Sequence, residues 1–531
     1  APAAETARLM DTLQNYNFII LGLQNLSQRP YRNFGLTETV ISAAQQIIDN
    51  HPTVTVFFGN PFALAKIPGI GRSAALLLTY QETGIMQDLA AQMVFGAYPV
   101  KGRLPVTVSE EFAMGDGLDM AAVNRLRYDI PEAEGMDSRL LERKIDSIAE
   151  AGIAAKAYPG CQVLVARHGT VVFHKTYGYH TYAKRQPTQR EDLYDFASVT
   201  KVTGPLPALM RLHDQGKFQL DVPFYTYWPQ WKHSNKKEVI VRDVLAHQAR
   251  LKSWIPYWRN TVRHGHFKWH TFSLDSSGRY TLYVAPRIFL NKNYTRKIYK
   301  AIKKSPLEPE KKYLYSGLSF YLYPQIIKNL TGYDYPDYVK DSIYKPLGAY
   351  TITFNPYKNF KLPEIVPTEN DTFFRKEQLH GWVHDEGAAM MGGISGNAGL
   401  FGTANDLAKL MQMYLQMGEF GGRRFISDST MHEFTRCQFP ENGNRRGLGF
   451  DKPLIENATL TSERVYPARS ASPSSFGHSG YTGTFTWADP ENGLLYIFFS
   501  NRVYPTRYNS RIYDLNIRTA IHQVLYDAIK E

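Results

Sequence analysis

Cysteine is nearly absent: the 531-residue chain has two, Cys161 and Cys437. Two thiols cannot make a disulfide framework, and their scarcity fits a reducing compartment as well as a bacterial export route. No uninterrupted apolar run approaches the roughly 18 residues that a membrane helix needs, which argues against a transmembrane segment. No Gly-x-Gly-x-x-Gly phosphate loop follows a strand; Gly69-Ile-Gly71 is an isolated pair better suited to a turn. An initiator Met and a signal peptide are also lacking from the Ala-Pro-Ala-Ala-Glu start, which reads as a processed or excised piece of something longer. Acidic residues are scarce in one place. Between Lys252 and Lys312 fourteen Lys/Arg face three acids, Asp275, Glu308 and Glu310, so this stretch carries +11 of the chain's +12.

That basic stretch is rich in aromatics, including Trp254, Trp258, Trp269, Tyr283 and Tyr299. The combination suits nucleic acid, an anionic glycan or an acidic membrane surface. No nucleic-acid fold signature accompanies it, so no nucleic-acid partner is expected, and it reads first as a structural lid. His264, His266 and His270 suggest a metal, but no Cys, Asp or Glu falls among them, and no metal or other cofactor is expected.

The rest is ordinary for a globular protein of two or more domains, with 43% hydrophobic and 21% charged residues. Short apolar runs at Asn17 to Leu21, Val54 to Phe58 and Ala74 to Thr79 alternate with helical patterns at Glu38 to Ile48 and Ile85 to Phe95. Such alternation predicts a mostly parallel sheet with covering helices, incomplete as a sheet because the strands are few. Gly115 to Gly135 is a polar connector, and the boundary near Asn124 divides the chain into domains 1–123 and 124–531. The second domain opens with a helix (Ser138 to Ala151) and two apolar runs, Cys161 to Ala166 and Val171 to Lys175, joined by a His168-Gly169-Thr170 hairpin turn. It closes with Thr484 to Ala488, a turn at Pro490 to Gly493, Leu494 to Ser500 and a final helix. Antiparallel strands at both ends with helices between predict an α+β domain.

Ser198-Val-Thr-Lys201 stands out in the helical middle. A serine hydroxyl needs a neighbouring base before it can attack a carbonyl, and positions i and i+3 of a helix share a face, so Lys201 can reach it. The helix start adds partial positive charge where an oxyanion would form. A chain this long holds roughly two Ser-x-x-Lys matches by chance, and Ser234-Asn-Lys-Lys237 and Ser342-Ile-Tyr-Lys345 are rivals. The first lies in a polar run and the second just before Pro346, so neither serine opens a helix. Ser198 follows apolar Phe196 and Ala197 and precedes Val202, Leu206, Leu209 and Leu212 at helical spacing. Pro205 and Pro207 predict a kink or delay in that helix.

Two further clusters follow, Tyr313-Leu-Tyr315-Ser-Gly317 before a helical stretch and His478-Ser-Gly480 before Tyr481-Thr-Gly-Thr484. Together the three resemble the Ser-x-x-Lys, Tyr-x-Asn and Lys/His-x-Gly elements of serine β-lactamases and penicillin-binding proteins. The order, the spacing and the Tyr and His variants look like class C β-lactamases and their esterase and D,D-peptidase relatives. Val383-His-Asp-Glu386 and Gly399-Leu-Phe-Gly-Thr403 are similar too. The resemblance covers Asn124 onward and implies a β-lactamase/transpeptidase-like fold in which Ser198 forms an acyl-enzyme. Lys201, or Tyr315 held close to it, would take the serine proton. The backbone N–H groups of Ser198 and Tyr481 would hold the oxyanion, each such donor being worth about 3 kcal/mol. His478, with Ser479 and Gly480 on a strand edge, would orient the substrate. One departure stands: the family's second element ends in Asn, and here that residue is Gly317. Losing its amide implies slow or absent β-lactam turnover, with cell-wall peptides or esters as substrates.

The first domain has its own likeness. Phe57-Phe-Gly-Asn-Pro61, Leu89 to Gly96 and Gly102-Arg-Leu-Pro-Val-Thr107 resemble the C-terminal α/β domain of family-three glycoside hydrolases. Fusions of such β-N-acetylglucosaminidases to a β-lactamase-like domain occur in Bacteroidetes. The likeness implies an upstream glycosidase barrel as partner, a peptidoglycan-derived peptide, ester or β-lactam as ligand, and a periplasmic or exported location. The rival readings are a non-catalytic or weakly catalytic peptidoglycan- or penicillin-binding module, which Gly317 suggests, and a scaffold for a missing glycosidase barrel.

Overall fold

The computed structural model describes residues 2–461 and 464–530; Ala1, at the head of the Ala-Pro-Ala-Ala-Glu start, lies outside the described residues. Two compact units are present, Ala1–Arg127 and Tyr128–Glu531. In the first, helix α1 (Pro2–Leu13) precedes strand β1 (Ile19–Leu23), helix α2 (Glu38–Asn50), strands β2 (Thr53–Phe57) and β3 (Ala75–Leu78), and helix α3 (Gly84–Val94). The strands pair in parallel in the order β1-β2-β3, with Ile19 opposite Thr53 and Val54 opposite Ala75. Thr37 and Thr83 start α2 and α3 by accepting the Val40 and Met86 N–H groups on their hydroxyls. Leu23, Ile41, Ala44, Ile48 and Phe57 close one core over the sheet. Gly69 has a φ of +77° and turns the chain, as its isolated position suggested.

The second unit opens with helix α4 (Ser138–Ala154) and a hairpin of strands β4 (Gly160–Arg167) and β5 (Thr170–Gly178). Its two-residue loop, His168-Gly169, has both φ values positive, which matches the right-handed twist of the strands. The helical region begins with the four-residue α5 (Thr200–Thr203) and α6 (Pro205–Asp214). Gly204 sits between them, and Pro205 starts the second helix where an N–H would be unsatisfied anyway, so the predicted kink is a full break. The basic stretch folds as an insertion with strands β6 (Phe272–Ser273), β7 (Tyr280–Ala285) and β8 (Ile288–Asn291), ordered β6-β8-β7, followed by helix α7 (Tyr294–Lys304). Helices α8 (Tyr323–Thr331) and α9 (Ala404–Leu415) come next, then strands β9 (Phe476–Ser479), β10 (Phe485–Asp489) and β11 (Leu494–Ser500), and helix α10 (Ile517–Asp527).

The five long strands of the main sheet run β9-β10-β11-β4-β5, each antiparallel to its neighbour. Both ends of the unit's sequence therefore build one sheet. Cys161 to Ala166 are all fully buried, which is why this strand reads as a continuous apolar run rather than an alternation. Leu141, Ile145 and Ala149 of α4 and Ile517, Ile521 and Leu525 of α10 cover one face; α9 packs against β4, β10 and β11 on the other. Strand β9 is left at an edge. No described helix is long and apolar enough to cross a membrane.

Candidate active site

The segment entering the site is pinned before it reaches Ser198. Tyr194–Asp195 pairs with Leu400–Gly402, and Phe196 N–H donates to Leu400 O at 2.9 Å. The buried Asp195 carboxylate accepts the N–H groups of Ala197 (2.8 Å) and His384 (2.7 Å). Ala197 is buried with a φ of +45°, a conformation that costs a non-glycine residue on the order of 1 kcal/mol and persists only where neighbours enforce it. The strained residue turns the half-buried Ser198 side chain out of a single 3₁₀ turn, Ala197–Val199. Ser198 thus precedes α5 rather than opening a long helix, and the field of an extended macrodipole is reduced to that of one short turn.

Lys201 is 2% exposed. Its Nζ donates to Ser198 Oγ at 3.0 Å and to Asn397 O at 2.9 Å. The rings of Tyr315 and Phe320 lie 5.3 and 5.4 Å from it. Both rival serines donate to backbone instead, Ser234 to Trp231 O and Ser342 to Tyr338 O. Lys237 and Lys345 pair with Glu238 and Asp341. Tyr315 comes beside Lys201 by its ring, not its hydroxyl: the phenol oxygen is buried and has no hydrogen-bond partner among the described residues. His478 joins the same cluster, its ring 5.9 Å from that of Tyr315. Its Nδ1 lies 2.8 Å from Ser479 O, which fixes the ring proton there by donation to the carbonyl and leaves Nε2 a buried acceptor without a partner.

Glycine is required at 480. A Cβ there would lie 2.0 Å from Thr484 Oγ1 and 2.6 Å from Phe196 O. Thr482 and Thr484 donate their hydroxyls to Asp195 O (2.7 Å) and Phe196 O (3.0 Å), so the turn after β9 is tied to the turn before Ser198. Tyr481, 48% exposed, follows on this turn, its ring over the Arg502 guanidinium at 4.3 Å. Ser479 lines a cleft of about 380 Å³ with Arg445, Tyr466, Tyr513 and Arg518. Gly317 is not forced by space: a Cβ would meet only Asn397 Cβ, at 3.9 Å.

Several residues in the site carried no motif. The His247 ring lies 4.7 Å from that of Tyr315, tilted at 42°, and its Nδ1 accepts the Ser316 N–H at 3.2 Å, which leaves the Nε2 proton buried and unpartnered. Arg446, almost fully buried, holds its guanidinium 5.7 Å from the Tyr315 ring and pairs with Asp451 at 3.2 Å. Asp451 exchanges two backbone hydrogen bonds with Gly477, covering that part of the β9 edge and leaving the part at Ser479 open. Asn397 donates from Nδ2 to Tyr321 Oη (3.2 Å), which in turn donates to Asp385 (3.1 Å). The Val383 to Glu386 and Gly399 to Thr403 stretches are therefore supports: one anchors Asn397 beneath Lys201, and the other clamps the turn before Ser198. The only signal for Asn397 was its place in the glycine-rich run Gly392 to Gly399.

Burial, reinforced by the positive charges of Arg446 and Lys201, pushes His478 down to about 3. Burial also lowers His522 to about 3 and, with Arg190, His174 to about 4. Between about pH 6.5 and pH 3 the unfolded chain takes up protons at these histidines that the folded chain refuses, so stability falls as pH is lowered through that window. His478→Gln should lose less stability than the parent on going from pH 7 to 4.5, by roughly 2 kcal/mol. Urea unfolding at the two pH values measures this; equal losses would show that His478 is protonated in the folded protein.

The model of the family described as Beta-lactamase matches residues 145–520. A Salmonella typhimurium protein described as "Putative D-alanyl-D-alanine carboxypeptidase" is 31% identical over 414 residues, covering 72% of this chain and 87% of that protein. Among solved structures, EstCE1, a hydrolase with promiscuous acyltransferase activity, aligns with a TM-score of 0.51 at 18% identity, over 74% of this chain and all of its own. The D-amino acid amidase of Ochrobactrum anthropi SV3 aligns with a TM-score of 0.51 at 16% identity, over 73% and 98%. At these identities the two structures speak to the fold alone.

Proposed function

This chain belongs to the beta-lactamase family, and from that premise we propose a serine hydrolase that forms an acyl-enzyme on Ser198. Its substrates are cell-wall peptides of the D-alanyl-D-alanine type or simple esters. The observation that carries the reading is the Lys201 amine, buried and bridging Ser198 Oγ and Asn397 O at 3.0 and 2.9 Å. In the neutral form Lys201 takes the Ser198 proton as Oγ bonds to the carbonyl carbon. The oxyanion is held by the Ser198 and Tyr481 N–H groups, and the leaving amine or alcohol departs with the proton. Water then hydrolyses the ester by the reverse sequence. Tyr315 and His478, both buried at their polar atoms, wall the pocket beside Lys201, and Ser479 and Gly480 at the β9 edge are left to orient the substrate. In the cleft beyond Ser479 Arg445 is already paired with Asp451 at 3.0 Å, and Arg518 is the group that suits a substrate carboxylate.

Gly317 favours a second reading, a receptor that acylates and releases slowly. Steady-state turnover of a p-nitrophenyl ester and of a D-alanyl-D-alanine peptide separates the two. Many turnovers per protein support the hydrolase; a burst of one equivalent with no further product rejects it. Since a side chain fits at 317, Gly317→Asn should raise β-lactam acylation several-fold, the worth of one hydrogen bond of about 1 kcal/mol, and leave ester hydrolysis nearly unchanged. Stopped-flow acylation rates check this, and an unchanged rate would mean that the amide cannot reach the ligand.

We propose also that the first unit is of the glycoside hydrolase family-three C-terminal type. In that arrangement peptidoglycan is the common substrate, the location is periplasmic, and residues 1–123 alone have no glycosidase activity. The parallel β1-β2-β3 sheet with Asn60 capping the turn after β2 supports this.

A further inference from the structure

Helix α7 buries Tyr294, Ile298 and Ile302, at a spacing of four residues, and turns its other side outward. Its last carbonyls are bolted to the body of the unit: the fully buried Lys236 donates from Nζ to Lys303 O at 3.1 Å and also to Ser305 O. The outward side carries Arg296, Lys297, Lys300, Lys303 and Lys304, and Lys292 lies two residues before the helix. Among the described residues no carboxylate pairs with any of these six. The ion pairs of the insertion lie further on, at Lys311–Asp243 and Lys312–Glu310. A rigid helix thus presents a fixed row of unneutralised cations.

An apolar patch adjoins this row. Asn291 N–H donates to Thr271 O at 3.0 Å and its side chain to His270 O, so the strand that leads into α7 lies against the segment carrying Trp269. Trp269 is 84% exposed and Leu274 is 62% exposed. Both border an open cleft of about 390 Å³ floored by Phe267, Phe272 and Ile288. Water-exposed tryptophan and leucine beside a cationic amphipathic helix are the elements of interfacial attachment, in which the rings sit at headgroup depth and the ammonium groups meet anionic lipid.

We propose that α7 and the Trp269–Leu274 patch dock this protein on a membrane surface containing anionic phospholipid. Five of the six cations are lysines, compact hydrated charges suited to a diffuse headgroup layer rather than to bidentate phosphate recognition. The exposed indole and leucine add apolar area that a soluble polyanion would leave in water.

Sedimentation of the full chain with vesicles tests this, one set of phosphatidylcholine and one containing phosphatidylglycerol. Binding is expected with the second set alone, and raised salt should release most of it. The triple variant Lys297→Glu/Lys300→Glu/Lys304→Glu should lower the partition coefficient at least about 100-fold. Trp269→Ser/Leu274→Ser should weaken binding about tenfold, and circular dichroism confirms that both variants fold. Equal binding to the two sets, no binding to either, or undiminished binding by the charge-reversed variant would overturn the proposal. So would displacement by DNA or polyphosphate combined with no effect of the Trp269/Leu274 pair, since that marks a general polyanion site.

Discussion

Ser198→Ala is expected to lower kcat/KM for ester or peptide hydrolysis on the order of 10⁴- to 10⁶-fold while leaving the fold intact. Both parts follow from the same contacts. The hydroxyl is the group that must bond to the acyl carbon, and among the described residues no other serine hydroxyl of the site accepts a hydrogen bond from a lysine amine. Structurally, Ser198 is half-buried and gives up one hydrogen bond, that from Lys201, whose Nζ keeps Asn397 O. The strain at Ala197 is enforced by Asp195 and Leu400, not by Ser198, so the turn should survive. Thermal unfolding within about 1 kcal/mol of the parent, alongside the activity loss, is the expected pair of results. Activity within tenfold of the parent would remove Ser198 from the chemistry.

Lys201→Met is expected to cost about 10³- to 10⁴-fold in kcat, with KM little changed. Methionine follows the path of the lysine stem and fills the same volume. What is lost is the nitrogen that takes the serine proton, and Asn397 O is left buried without its donor, a penalty of about 1–3 kcal/mol to stability. Lys201→Arg discriminates between two roles. A guanidinium keeps the positive charge but cannot be deprotonated, so an electrostatic role survives the change and a general base does not. Lys201→Arg is expected to be nearly as inactive as the methionine variant. Tyr315→Phe should cost only about tenfold, because the phenol makes no hydrogen bond to Lys201 or Ser198 and the ring contact remains. The opposite order, with Tyr315→Phe more damaging than Lys201→Met, would transfer the base to the phenol.

The parts of this molecule that were legible in the sequence are those whose cause is local. A two-residue His168-Gly169 loop between apolar runs marks a hairpin, and Pro205 after Gly204 marks a helix break. Ser198 and Lys201 can be paired because three residues suffice to bring them together. Most of the remaining site depends on contacts that the chain makes across hundreds of residues. Asn397 reaches Lys201 over a separation of 196 residues. His247 meets Tyr315, and Arg446 meets the same ring, only after the insertion and the sheet are in place. No periodicity signals a buried histidine or arginine whose partners lie on other elements. Tyr315 shows the limit from the other side: a motif placed the residue in the site, but which end of it meets Lys201 depends on how His247, His478 and Arg446 pack around the ring. The basic segment was legible by charge alone. That it forms strands and an amphipathic helix follows from Tyr294, Ile298 and Ile302 finding the body of the unit, with Lys236 supplying the cap.

The most direct measurement is peptide mapping by mass spectrometry after incubation with benzylpenicillin or a fluorophosphonate. One equivalent of adduct carried by the peptide containing Ser198, and absent from Ser198→Ala and Lys201→Met, is the result expected. An adduct on Ser479 or another serine, or an unmodified parent protein that nevertheless hydrolyses ester, would contradict it.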